Sequence, residues 1–165
     1  MTNSNANKAP RWNLNSIFPS FDSSDYANAK KTLASLAKDL PLHAEKGLDS
    51  ATWTKEQVLS WLLTALELEN KADLYVRTLS SYCYAQYSTI TADSRALNEL
   101  NSIDELSLPF ASASVVFLNT LALHEKTVYS LLDESTELSQ YRFYIEDSLF
   151  WQKKQMSANE EALAA

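Results

Sequence analysis

The sequence predicts an all-α fold: a multi-helix bundle built around a long antiparallel helical hairpin, with an irregular N-terminal arm. Three observations carry that prediction. Glycine occurs once in 165 residues, at Gly47, and proline four times. Leu, Ala, Glu and Lys, all strong helix formers, fill long stretches between these breakers. Apolar residues then recur every three to four positions, the spacing of one helix face. The hairpin turns of a multi-stranded antiparallel sheet, a dinucleotide fingerprint and a P-loop all need several glycines, so none of them fits.

The elements follow in order. Thr2 to Pro10 is rich in Asn, Ser and Ala and reads as a flexible N-terminus, 1–10. Trp12, Leu14, Ile17, Phe18 and Phe21 are apolar without a sustained helical period. Pro19 interrupts them, so this stretch is expected to lie as an arm over the helices. Asp22, Ser23 and Ser24 are candidate N-caps for a first helix over 24–39, ended by Pro41, with Tyr26, Ala29, Leu33, Leu36 and Leu40 inward. Leu42 to Ser50 is expected to be a loop.

Thr54 caps a run reaching about Tyr87, with Leu59, Leu62, Leu66, Ala72, Tyr75, Leu79 and Tyr82 on one stripe, thickened by Trp61, Leu68 and Val76. Such a helix spans ~50 Å at 1.5 Å per residue. Thr91 or Asp93 starts a third helix over 93–122, with Leu97, Leu100, Leu108, Ala111, Leu118 and Leu121 on its expected inner face. Two long helices joined by a short polar loop fold back on each other. Pro109 removes the hydrogen bond to the Glu105 carbonyl, so a kink is expected there. Shorter helices follow over 125–133 and 139–153, the last expected to bury Tyr141, Tyr144 and Ile145, with Phe150 and Trp151 as further candidates. Ser157 to Glu160 matches the capping box Ser-x-x-Glu, so 157–165 reads as the start of a further helix and 11–156 as the helical body.

A chain of this length can bury about two-thirds of its unfolded surface, and 45% hydrophobic residues supply the core. Cys83 is alone, which excludes an internal disulfide scaffold. No run reaches ~18 uninterrupted apolar residues and the N-terminus lacks a signal-peptide core, so no membrane partner and a cytoplasmic location are expected. Net charge is −7, split as +2 over 1–47 and −9 over 48–165. That acidic body lacks the clustered Lys and Arg of a nucleic-acid binder.

No catalytic, cofactor-binding or metal-binding constellation is complete in these residues. His124-Glu125 begins like the zinc-protease motif H-E-x-x-H, but Val128 stands where the second ligand is needed. His43 is the only other histidine, in an expected loop far along the chain. Cys83 lies among aromatics without the basic partner of a nucleophile. Glu67, Glu69 and Asp73 read as a solvated helix face, and Ser80, Ser81 and Ser112 lack a nucleophile-elbow context. The tyrosines Tyr75, Tyr82, Tyr84, Tyr87, Tyr141 and Tyr144 suit either a core or a binding groove.

Four stretches taken together point to a family. Arg11-Trp-Asn-Leu-Asn-Ser-Ile-Phe-Pro-Ser20 resembles the W-x-L-x-x-(I/L)-(F/Y)-P opening of oligoendopeptidase F-like zinc metallopeptidases, relatives of thimet oligopeptidase. Glu45-Lys-Gly-Leu48 follows in the expected place. Leu74 to Tyr84, then Thr91-Ala-Asp-Ser94, resembles the family's helix before its D-(T/S) turn. Tyr141-Arg-Phe-Tyr-Ile-Glu146, then Met156-Ser-Ala-Asn-Glu-Glu161, is similar to its Y-R-x-(Y/F)-(L/I)-E and L-S-x-x-E-E segments. Trp151, Met156 and the stretch Lys153-Lys154-Gln155 depart from the usual residues.

The resemblance implies the non-catalytic N-terminal lobe of a zinc-dependent oligoendopeptidase that hydrolyses short peptides, a lobe that walls the substrate channel. The catalytic H-E-x-x-H helix would lie further along the chain, in a missing C-terminal catalytic domain, and its zinc-bound water would attack the scissile carbonyl. No family catalytic residue maps onto a position here. The alternative is a self-standing helical protein-interaction module with no enzymatic role.

Overall fold

The computed structural model describes residues 13–89 and 94–154, and every regular element among them is helical. Helix α1 spans Ser24–Glu45, and a 3-10 segment follows at Lys46–Thr52. The long helices α2, Lys55–Thr89, and α3, Ser94–Leu123, come next, then α4, Glu125–Glu134, α5, Thr136–Ser139, and α6, Arg142–Gln152. Trp12, Thr91, Asp93 and the Ser157 capping box lie outside the described residues.

Local chemistry sets the starts of α1 and α2. Ser23 caps α1, its Oγ accepting from the Tyr26 N–H at 3.3 Å. Thr54 and Gln57 form a reciprocal capping box at α2. The Thr54 N–H donates to Gln57 Oε1 at 2.8 Å, and the Gln57 N–H to Thr54 Oγ1 at 3.4 Å.

The first three helices make the body, and their shared core residues fix its topology. Trp61 near the start of α2 packs with Phe117 and Leu121 near the end of α3, while Leu79 and Tyr82 at the other end of α2 meet Ile103. The α2–α3 pair is therefore antiparallel, as the sequence predicts. Helix α1 also runs against α2: Tyr26 meets Cys83 at one end and His43 meets Trp61 at the other. Helices α4 to α6 close the Trp61 end, adding Val128, Leu131, Leu132, Leu138, Ile145 and Leu149 to that core.

The arm closes the opposite end. Phe18 is buried, and Leu14 and Phe21 pack beside it. Phe18 and Phe21 both meet Tyr26 and Tyr82 edge-on, with centroids 5.1 to 5.4 Å apart. Edge-to-face pairs of this kind add stability beyond the area they bury.

Several local expectations are corrected. Pro41 does not end α1, which continues to Glu45. The ring costs one backbone hydrogen bond, but Leu40 and Ala44 on either side are buried and hold the last turn in place. The expected loop at Leu42–Ser50 is thus helical, and Gly47 sits in the 3-10 segment against α3. A Cβ built there would come within 2.3 Å of Thr120 Oγ1, so only glycine permits the approach.

On α3 the inner face differs from the expected one. Leu97, Leu108 and Ala111 are exposed, while Ala96, Ile103, Ala113, Phe117, Thr120 and Leu121 are buried. Pro109 lies within a continuous helix. By length and by an 18-residue stretch of mean hydropathy 1.7, α3 is apolar enough to cross a membrane, which a count of uninterrupted apolar residues does not register. Its inner side chains nonetheless pack on α1 and α2.

The last helix begins at Arg142 rather than 139. Ser135 caps a separate single turn, its Oγ accepting from the Leu138 N–H at 3.1 Å, and Leu138 is fully buried. Tyr144, Phe150 and Trp151, expected on its buried side, are 44%, 50% and 58% exposed.

Candidate functional site

A groove of about 610 Å³ lies between α2 and α3, roofed at one end by the start of α6. Helical spacing on α2 turns Leu66, Glu69, Asp73 and Val76 toward it. Phe110 and Ser114 of α3 form the opposite wall, and Tyr141 and Tyr144 of α6 overhang. Sequence reasoning left these tyrosines open between core and groove; Tyr82 is core, and this pair is groove.

Two hydrogen bonds dock α6 over the groove. Asn70 Nδ2 donates to the Tyr141 hydroxyl oxygen at 3.1 Å, and the Tyr144 hydroxyl donates to Glu69 Oε2 at 3.0 Å. Burial pushes the Glu69 carboxyl above the usual carboxylate range, against the pull of that bond. Burial and the facing carboxylate together push the Tyr144 hydroxyl up as well. Asp73 is answered on its own helix, where Arg77 Nε lies 2.7 Å from its carboxylate oxygens. Glu67 pairs likewise with Lys71 and faces away.

The other candidates resolve into structural roles. His43 Nε2 is 2.9 Å from the Trp61 carbonyl oxygen, and Trp61 Nε1 donates back to the His43 carbonyl at 3.1 Å. His124 Nε2 is 2.9 Å from Ser50 Oγ. The two imidazoles are the ends of a ring column, His43 on Trp61, Trp61 beside Trp53, and Trp53 on His124. Glu125 pairs with Lys153. Among the described residues no three His, Cys, Asp or Glu side chains come together as a metal set.

Cys83 is wholly buried. Its Sγ is 3.4 Å from the Tyr26 hydroxyl, which donates to Glu99 Oε2 at 3.0 Å; Lys30 Nζ completes the chain at 2.7 Å from the same oxygen. With the phenol proton directed to Glu99, the thiol is the donor to Tyr26. Burial raises the Cys83 thiol, the wrong direction for a nucleophile. Burial also pushes Glu99 up, but the Lys30 and Tyr26 bonds outweigh it and hold the carboxyl below its usual range.

The stretch Tyr141–Glu146 gains a physical account residue by residue. Tyr141 and Tyr144 dock on α2, and Ile145 is fully buried. Arg142 bridges Asp133 at 2.6 Å and Glu146 at 3.2 Å. Phe143 projects outward, 83% exposed. Residues 120–165 match the family model described as Oligopeptidase F. That stretch is therefore similar to the N-terminal region of the oligoendopeptidase F family. The match takes in the last turn of α3 and α4 to α6, and leaves out the arm, α1, α2 and the rest of α3. No curated protein and no solved structure matches the chain.

Proposed function

We propose that this chain is the non-catalytic N-terminal lobe of a zinc-dependent oligoendopeptidase acting on short peptides, and that it helps to wall the substrate channel. The family match over 120–165 carries the reading. The exposed aromatic side chains within that match support it. Phe143, Phe150 and Trp151 are 83%, 50% and 58% exposed on the short α6, more apolar surface than a helix of a lone domain usually leaves wet. A catalytic domain packed on this face would cover it. An interaction module with no enzyme attached could use the same surface, and the family match is what favours the peptidase.

Zinc and the residues that hold it would belong to that catalytic domain, as would the chemistry. The lobe contributes shape: a rigid helical wall that admits short peptides and excludes folded proteins. A cytoplasmic location and a body spanning 11–156 are part of the proposal.

The test compares the product of the full gene with this chain alone on quenched fluorogenic peptides. The full product should hydrolyse them and lose activity to a chelator, while the isolated chain does neither and retains no stoichiometric zinc after metal stripping and reloading. A chelator-insensitive or inactive full product would overturn the proposal.

A further inference from the structure

The groove between α2 and α3 has the build of a small-molecule site. Its volume of about 610 Å³ falls within the range of roughly 300–1,000 Å³ usual for such sites. Its floor and walls are mostly apolar, from Leu40, Leu66, Val76 and Phe110. Against this lining stands one unbalanced charge. Asp73 and Arg77 satisfy each other at the rim, whereas among the described residues Glu69 has one hydrogen-bond partner, the Tyr144 hydroxyl. An ionised carboxylate accepts up to about four hydrogen bonds, so most of its capacity faces the groove unused.

We propose that this groove binds an amphipathic organic monocation, its ammonium group against the Glu69 carboxylate and its apolar body between α2 and α3. The complementarity is electrostatic and steric together. A primary ammonium brings three donors to a carboxylate that lacks them, and the apolar body covers side chains that otherwise meet water. The upward push of burial on Glu69 agrees with this, because a partly desolvated carboxylate gains most from a cation. The inference stands on the groove itself and does not depend on the peptidase reading.

The probes are 4-phenylbutylamine and its neutral counterpart 4-phenylbutan-1-ol, titrated into this chain at pH 7 and followed by calorimetry and by NMR shifts of α2 and α3 amides. The amine should bind with a dissociation constant on the order of 1 mM and the alcohol roughly tenfold more weakly, the worth of one charge-assisted hydrogen bond. Glu69→Gln can still accept from Tyr144 and should bring the amine down to the level of the alcohol. Ser114→Phe, on an exposed position of the α3 wall, should fill the groove and remove amine binding with the helical circular dichroism unchanged. Equal binding of amine and alcohol, no amine binding to the folded chain, or an amine affinity indifferent to either substitution would each overturn the proposal.

Discussion

Replacing Tyr26 by phenylalanine isolates one oxygen atom at a buried junction. The ring is 2% exposed and touches Phe18, Phe21 and Tyr82, contacts that phenylalanine keeps. What is lost is the hydroxyl, which donates to Glu99 at 3.0 Å and accepts from the Cys83 thiol at 3.4 Å. A hydrogen bond to a charged acceptor is worth about 1.5–3 kcal/mol, and the orphaned thiol adds little because it is a weak donor. Glu99 keeps Lys30, so no bare charge is left behind. The expected loss is about 2 kcal/mol at pH 7, or a fall in Tm of roughly 4–8 °C for a chain of this size.

The pH dependence follows from Glu99. Its folded carboxyl lies below the ordinary range, so it contributes stability that is fully present above the unfolded value, about 4.3, and lost as pH falls through the folded one. Removing Tyr26's hydroxyl weakens that depression, so the gap between variant and parent should shrink below about pH 4. Urea unfolding followed by Trp fluorescence at pH 7 and pH 3.5 measures both. A loss under about 0.5 kcal/mol at pH 7, or a gap that widens in acid, would refute the reasoning.

Three further outcomes test other parts of the structure. Gly47→Ala drives a methyl onto Thr120 and should cost about 1–3 kcal/mol in urea unfolding, with part recovered in the double variant Gly47→Ala/Thr120→Ala. Ile103→Ala should cost about 2–5 kcal/mol while Leu108→Ala, on the wet face of the same helix, stays within about 0.5 kcal/mol; equal costs would return the inner face to the one the spacing suggested. The Cys83 thiol should resist a water-soluble disulfide reagent in the native chain and react in full once urea unfolds it, read from released chromophore.

What the sequence made legible was what local chemistry decides. The α2 start needed only Thr54 as its cap, and the long hairpin needed only sustained apolar spacing with a polar break. Pro41 misled because a local rule met a tertiary override: burial of Leu40 and Ala44 outweighs one missing backbone bond. On α3 the spacing was ambiguous. Apolar residues occupy more than one side of that helix, so Leu97 and Leu108 fit a stripe as well as Ile103 and Phe117 do, and only the neighbours α1 and α2 choose between them. The single turn at Ser135–Ser139 is shorter than any period can show.

The groove was less legible. Glu69 and Asp73 read as a wet helix face on their own element, and Asp73 is one. Glu69 differs because Tyr144, 75 residues away, folds over it. Nothing near Glu69 in sequence carries that signal. The ring column is the same kind of fact: His43 and His124 look unrelated along the chain, and Trp61 and Trp53 join them only in the fold.

The central claim is that this helical chain is a peptidase lobe that leaves the chemistry to another domain. Reading the native coding sequence past the codon for Ala165 tests it most directly. The account predicts an open frame that continues into a helical H-E-x-x-H with a further glutamate downstream. A frame that closes there, or continues without that motif, would contradict it.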